Sequence, residues 1–441
     1  MTIFNIIIKE NGQDTFAAVE SPNEKYVTFD LGANSAFVSS YVWDLFNTNR
    51  IAPSAASADL MDLAIAIYTS DQIVSRDING FQGWSRHMRI QFPVSDLIIW
   101  ENVKLDLEQM LSFLSGDKWE LIFRERGVVR NVHVPLIRNP DGITKVSLLS
   151  GGLDSFIGSI DLLEKKEKVA FVSHYKRGAE SPRQSQVYSA LTKLYGNNSF
   201  RDYKFFVQPN QSHDSLSKED TSRARSFLFL TLGLVLANAL DDNIDLIVPE
   251  NGLISLNVPL TQTRLSSHST RTTHPYYISL LQKVVSGIGI KNQIVNPYRF
   301  KTKGQMMIDC SNQQFLLQYY PATLSCSHSE TSRFVKGAKP GIHCGYCVPC
   351  IIRQSAEKAF KGIKTTYSHQ IKSNPPDPKT GTGRDLRAFK MALEEIEKIK
   401  KHSLVLRILK SGPLPFIDQK DLDSYVDVYS KGMEEIKKFL Q

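Results

Sequence analysis

The chain lacks an apolar run of membrane length. Its longest, Phe227 to Leu240 (FLFLTLGLVLANAL), is broken by Thr231, Gly233 and Asn238. It falls short of the roughly 20 residues a bilayer requires and reads as a buried helix. The start, MTIFNIII, has no basic residue, no long apolar stretch and no small-residue cleavage site, which argues against a secretory signal and for a cytoplasmic protein. Cysteine is scarce, with five in 441 residues. That is too few for a secreted disulfide framework, and three of them crowd into CGYCVPC as metal ligands do in a reducing compartment. Internal repeats and low-complexity tracts are missing too. Acidic residues are outnumbered, 45 against 53 Lys and Arg, and the net charge of +8 favours anionic ligands. Charge alone leaves nucleotide and nucleic acid both open.

Three regions differ in pattern. From residue 1 to about 140, short alternating runs such as YVTFDLG and HMRIQFPV suggest a β-rich accessory domain, with helices near Ala55 to Thr69 and Val103 to Leu114. All four tryptophans lie here and are expected in the core; no catalytic motif does. Residues 141 to 370 alternate apolar strands (KVSLL, KVAFVSHY, YKFFVQ, IDLIV) with helical stretches, which predicts an α/β domain with a doubly wound parallel sheet and ligands at the carboxyl ends of its strands. Residues 371 to 441 hold a linker, NPPDPKTGTG, and two amphipathic helices expected to form a helical cap.

SGGLDS, Ser150 to Ser155, stands where the first of those strands gives way to a helix. Gly151 and Gly152 let backbone N–H groups approach an anion, Ser150 and Ser155 add hydroxyls, and the helix amino terminus favours negative charge. A Walker lysine is missing, so the loop is not built for ordinary β–γ phosphate cleavage. Further along, Cys326 precedes Cys344, Cys347 and Cys350, whose two C-x2-C steps fit a closed tetrahedral site for structural zinc, an iron–sulfur cluster being the competitor. His328 and His343 flank these cysteines, where either could replace one ligand although solvent-facing neighbours are the expectation, and Cys310 is expected to be a buried apolar side chain. Between the two motifs, Glu250 and Asn251 follow the strand IDLIV and are candidates to read a base-like edge; Arg264 and Arg271 to grip carboxylate or phosphate; His274 to move protons. Against that stands a polar loop, STRTTHP, fixed by its own hydroxyls.

All six loop positions together resemble the PP-loop ATP pyrophosphatases, with a HUP-like fold. The resemblance implies Ser150, Gly151, Gly152, Leu153 and Ser155 around the pyrophosphate of ATP, with Asp154 shaping the loop or helping to place Mg2+. Within that group, TLSC followed by CGYCVPCIIRQSAEKAF is similar to the QueC family, the 7-cyano-7-deazaguanine synthases. SRARSFLFLTLGLVLANA and FKTKGQMM agree in order, matching Arg225 and Lys303 to the family's arginine and lysine. The likeness covers residues 143 to 365. The family's Tyr-Pro-Asp-Cys-Arg substrate segment is replaced by VPENGLISLNVPLTQTRLSSHSTRTTHPYY. This combination resembles the QueC-like proteins of bacterial antiviral defence.

The resemblance implies an ATP-dependent carbon–nitrogen ligase that adenylates a carboxylate, 7-carboxy-7-deazaguanine or a related deazapurine, and passes it to ammonia or to the amino group of a protein partner from the same defence system. A nucleotide-binding sensor or scaffold is one alternative. A tRNA-modifying enzyme, supported only by the positive charge, is another, so nucleic acid is the less favoured partner. Asparagine synthetase shares SGGLDS but needs a cysteine after Met1, where Thr2 stands.

Overall fold

The computed structural model describes residues 2–32, 35–127, 138–177, 180–210, 219–261, 271–328, 342–400, 403–415 and 418–441. The chain opens with β1 (Ile3–Lys9), β2 (Glu24–Asp30), β3 (Val38–Ser40), α1 (Val42–Thr48), α2 (Ala55–Ile73), α3 (Arg76–Asn79), β4 (His87–Val94), α4 (Leu97–Ser115) and β5 (Lys118–Glu125). β1, β2, β4 and β5 form a four-stranded sheet in the order β2-β1-β4-β5 with every pair parallel. The expectation of a β-rich first third is therefore corrected: it is α/β, with two nineteen-residue helices. Parallel neighbours cannot be joined by tight hairpins, so long crossovers are required, and α2 and α4 lie within them. Both helices run longer than their periodic stretches indicated: α4 starts earlier because Asp96 caps it upstream, whereas α2 starts at Ala55 after its Ser54 cap and runs on to Ile73.

The second sheet takes β6 (Lys145–Leu148), β7 (Val169–Tyr175), β8 (Phe200–Pro209), β9 (Leu246–Ile247) and β10 (Ile294–Val295) in the order β10-β9-β6-β7-β8-β3. Its five core strands are parallel, and β3 from the first third closes the edge antiparallel to β8, so the sheet is mixed rather than wholly parallel. Helices cover both faces. On β7, Val169 and Phe171 point to one apolar cluster while Ala170 and Val172 point to another, the period of two that a doubly covered strand requires. α5 (Leu153–Glu164) and α6 (Glu180–Tyr195) pack on the first side, and α7 (Arg225–Leu240), apolar around its whole circumference, is buried on the other.

One apolar cluster runs from Phe4 and Ile6 of β1 through Leu60 and Ile67 of α2 to Leu232 and Leu236 of α7 and Val146 of β6. α2 is thus packed between the two sheets. It also buries Asp71, which pairs with Arg76 at 2.7 Å and Arg86 at 2.6 Å and accepts from the Ala224 N–H at 2.9 Å. The Arg76 N–H donates to Glu219 at 2.7 Å. Residues 219 to 224, which lead into α7, are therefore held by the first third of the chain.

The remaining helices are α8 (Gly252–Leu256), α9 (Pro275–Gly287), α10 (Lys303–Ile308), α11 (Gln313–Tyr319), α12 (Val348–Phe360), α13 (Arg384–Glu397), α14 (Leu404–Ile408) and α15 (Gln419–Leu440). α13 and α15 bury Phe389, Tyr429, Met433 and Ile436 against Leu253 of α8 and Ile352 of α12, so the final helices lie where their amphipathic patterns fall. Among the described residues no helix is long and apolar enough to cross a membrane.

Candidate functional site

In sequence order β6 is the first strand of the second sheet's parallel core and β9 the fourth, yet they are neighbours. The chain turns outward in opposite directions on either side of them, and such a switch point leaves a crevice at the carboxyl ends. SGGLDS leaves β6 there and Glu250 and Asn251 leave β9, which brings together residues a hundred positions apart.

The loop is closely fixed. Gly151 has φ of 84°, and a Cβ on it would stand 3.1 Å from Cγ of Gln184, so only glycine fits without strain. Gly152 caps α5, and its N–H donates to Ser150 Oγ at 3.3 Å. Ser150 Oγ lies 3.2 Å from Ser155 Oγ, which donates to the Gly152 carbonyl at 3.0 Å. Leu153 sends its side chain into the core and its N–H to Ser325 Oγ at 3.1 Å. Leu324 in turn donates its N–H to the Gly151 carbonyl at 2.9 Å. A segment 170 residues downstream thus completes the loop.

In front of it lies a cavity of about 460 Å3 whose lining includes Ser150, Ser155, Arg183, Arg225, Glu250 and Cys326. Arg225, first residue of α7, donates through Nε to His174 Nδ1 at 3.2 Å. His174 Nε2 lies 3.0 Å from the Val207 carbonyl, which can only accept, so the ring proton sits on Nε2 and Nδ1 is the acceptor. Two guanidinium groups with two serine hydroxyls suit an anion.

Asp154 and Lys303 do not line that cavity. Both are buried behind it as an ion pair, Lys303 Nζ on Asp154 Oδ1. Asp154 Oδ2 accepts from Asn251 twice, from its N–H at 3.1 Å and from Nδ2 at 2.6 Å. Burial pushes the Asp154 carboxyl up, but the Lys303 ammonium and the hydrogen bonds from Glu250 and Asn251 outweigh it and hold the group below its ordinary value. Glu250 goes the other way: burial first, then the Asp154 charge, hold it well above the usual carboxylate range. One proton shared across two carboxyls is the physical outcome, and it ties the end of β9 to the start of α5. Lys303 begins α10, whose first turn is fixed from α15: Thr302 Oγ1 donates to Glu435, and a Cβ on Gly304 would stand 2.7 Å from that carboxylate.

Arg271 and His274 are not brought to the cavity. Arg271 donates to the Phe113 carbonyl at 2.9 Å and lies over that residue's ring. His274 is fully buried, accepts the Tyr276 N–H at 3.2 Å as the cap of α9 and meets Ser411 Oγ at 3.1 Å. Burial, then the Arg271 charge, pushes it down to about 3, so it stays neutral. Both ring nitrogens are committed to structure, which corrects the expectation that it moves protons. Pro275 opens α9. Their neighbours Thr272 and Thr273 do reach the cavity. Arg264 lies outside the described residues.

Cys326, Cys344, Cys347 and Cys350 converge so that their ligand atoms all lie within 4.8 Å of one another, close enough to hold a metal ion. Cys326 and Cys347 are 3.9 Å apart, as are Cys344 and Cys350. The N–H groups of His328 and Cys344 donate to Cys326 Sγ, both at 3.3 Å, which suits a thiolate. His328 stands 4.0 Å from Cys344 Sγ as a neighbour of the cluster. Cys310 is buried elsewhere, its thiol pushed up to about 12 by burial.

The cluster and the loop are mechanically joined. His343 Nε2 accepts the Ser325 N–H at 3.2 Å, and burial pushes this imidazole down to about 3, so it remains an acceptor. Arg353, fully buried on α12, donates to the Thr323 carbonyl at 3.2 Å, Thr323 Oγ1 at 2.9 Å, the Tyr320 carbonyl at 2.8 Å and Glu357 at 2.7 Å. Sequence reasoning missed Ser325 and Arg183 as parts of the site, and the expectation that His343 faces solvent is corrected: it is buried. The available signal was position: residues adjoining a metal ligand are fixed by it, and Ser325 and His343 each adjoin one. No family model matches the chain, and none of the curated proteins compared with it matches.

Proposed function

We propose that the chain is a QueC-like PP-loop ATP pyrophosphatase, a carbon–nitrogen ligase that adenylates a small carboxylic acid and hands the acyl group to an amine. The observation that carries this is the SGGLDS loop at the switch point of the sheet, facing a cavity with Arg183 and Arg225 and backed by the cysteine cluster. A carboxylate oxygen attacks the α-phosphorus of ATP, the bond to the bridging oxygen breaks, and pyrophosphate leaves into the loop. An amine nitrogen then attacks the acyl carbon, AMP departs, and the amine proton goes to solvent. Ser150, Ser155 and the backbone of the loop bind the leaving pyrophosphate; Arg225, oriented by His174, and Arg183 offset charge on the phosphates. Asp154 and Lys303 act as positioning residues that hold loop and strand end in register. Mg2+ supplies charge neutralisation on the phosphates when bound.

Zinc is the metal we assign to the cysteines. Tetrahedral zinc with Zn–S bonds of about 2.3 Å implies sulfurs roughly 3.8 Å apart, and the two pairs at 3.9 Å fit. Four thiolates leave no open position, so its role is structural. The QueC-like resemblance supports a deazapurine carboxylate as the acid, a protein partner or ammonia as the amine, and a setting in antiviral defence.

Intact mass analysis of 7-carboxy-7-deazaguanine incubated with the purified chain, ATP and Mg2+, with and without ammonia, tests this. The expected products are AMP with an adenylate, amide or nitrile. ATP binding without AMP formation under any of these conditions would point instead to a nucleotide-sensing scaffold.

A further inference from the structure

Thr272 lines the nucleotide cavity and also a second cavity of about 250 Å3. The walls of the second are apolar where Leu253, Val258, Leu260, Ile352, Phe389 and Met433 meet, and His328, Arg384 and Asp385 add a polar side. One side is α8 and the turn after it, another is Ser327 and Val348 beside the cysteine cluster, and the far side is α13 and α15, helices outside the region of family likeness. These walls are braced: the Val348 N–H donates to Asp385 Oδ2 at 3.1 Å, and Arg407 Nε donates to the Tyr429 hydroxyl at 2.8 Å, which leaves the hydroxyl's own hydrogen to be donated. Asn257, held in the left-handed region at φ 49°, also lines this cavity, and its Nδ2 is buried with no hydrogen-bond partner among the described residues. A buried donor left without an acceptor is uncommon and marks a place for one.

We propose that this second cavity is the acid subsite of the adenylation reaction. It receives a small organic acid whose ring-sized body packs on the apolar walls and which carries a hydrogen-bond acceptor for Asn257. The carboxylate of that acid extends past Thr272 toward the α-phosphate. A nucleotide with its triphosphate occupies the first cavity, so the second reactant has room of its own. The tail helices thereby choose the substrate as well as cap the fold. This inference rests on the proposed adenylation.

The test is calorimetric titration of 7-carboxy-7-deazaguanine into the full chain saturated with α,β-methylene-ATP, using wild type, Asn257→Asp and Met433→Trp. Asn257→Asp keeps size and tolerance of the left-handed backbone while replacing the donor by an acceptor; Met433→Trp fills the cavity. Each is expected to weaken the acid tenfold or more and to leave affinity for the nucleotide within twofold. If Met433→Trp does not fold, Asn257→Asp decides alone. No measurable binding of the acid to the wild type, or equal binding in the variants, overturns the subsite. Equal binding together with AMP release on adding ATP removes only the subsite and leaves adenylation standing, whereas nucleotide binding with no AMP from the acid removes both.

Discussion

Replacing Lys303 by methionine takes from Asp154 its one ion-pair partner among the described residues, and Asp154 stays buried with Asn251 as donor and Glu250 beside it. Breaking a buried pair by removing one partner costs about 3–5 kcal/mol. The variant can escape by protonating Asp154, but at pH 7 an ordinary carboxyl pays about 4 kcal/mol for that, so neither route is cheaper. Asp154→Asn has the mirror problem, a buried ammonium whose one remaining carboxyl neighbour, Glu250, must itself ionise against burial to balance it, and a similar cost. In the double variant both charges are gone and only hydrogen bonds and packing are lost, about 1–2 kcal/mol. The coupling energy should therefore be at least about 4 kcal/mol, with the double variant more stable than either single one. Because the pair locks the loop, the measurement is local: hydrogen exchange by mass spectrometry across residues 150–164, read as an opening free energy. Additive effects, with coupling below about 0.5 kcal/mol, would refute the lock.

Removing the metal should act at a distance. Chelation, or Cys350→Ser, is expected to speed exchange of the Leu153 amide and weaken nucleotide binding, because Ser325 reaches that amide from the cysteine cluster. Unchanged protection of Leu153 in the metal-free chain would contradict this. The pH dependence has a definite sign at Glu250. Its folded value lies well above 4.5, so its contribution to stability is complete below that pH and is lost as pH rises toward the folded value. Glu250→Gln should flatten the Tm profile above pH 4.5 and raise Tm towards higher pH; a Tm profile parallel to wild type would count against the shared proton.

The parts of the molecule that follow a local rule could be read from sequence. Strand–helix alternation after residue 143, the glycine loop and the C-x2-C steps all have fixed short-range spacing, and the strands, the loop and the converged cysteines stand where those patterns put them. The first third misled because alternating runs such as YVTFDLG do not distinguish parallel pairing from hairpins; the pairing is decided by α2 and α4 packing across the sheets. His274 misled for a related reason. A histidine amid serines, threonines and arginines looks solvated, yet it caps a helix under Phe113 and Ser411, contacts over a hundred residues away that no local pattern encodes. Ser325 was missed because its partner is a backbone amide at the far end of the domain.

The order in which the loop acquires its supports has a consequence for how the protein is made. Residues 150–155 emerge from the ribosome early, but Leu324, Ser325, His343 and Arg353 follow some 170 to 200 positions later, and Glu435, which steadies the turn bearing Lys303, emerges last of all these. A nascent chain lacking those contacts has the glycine loop without the parts that shape it. On the proposed function, nucleotide competence arrives at the end of synthesis, and a chain cut short before α15 should be unable to occupy itself with ATP however well its sheets have formed.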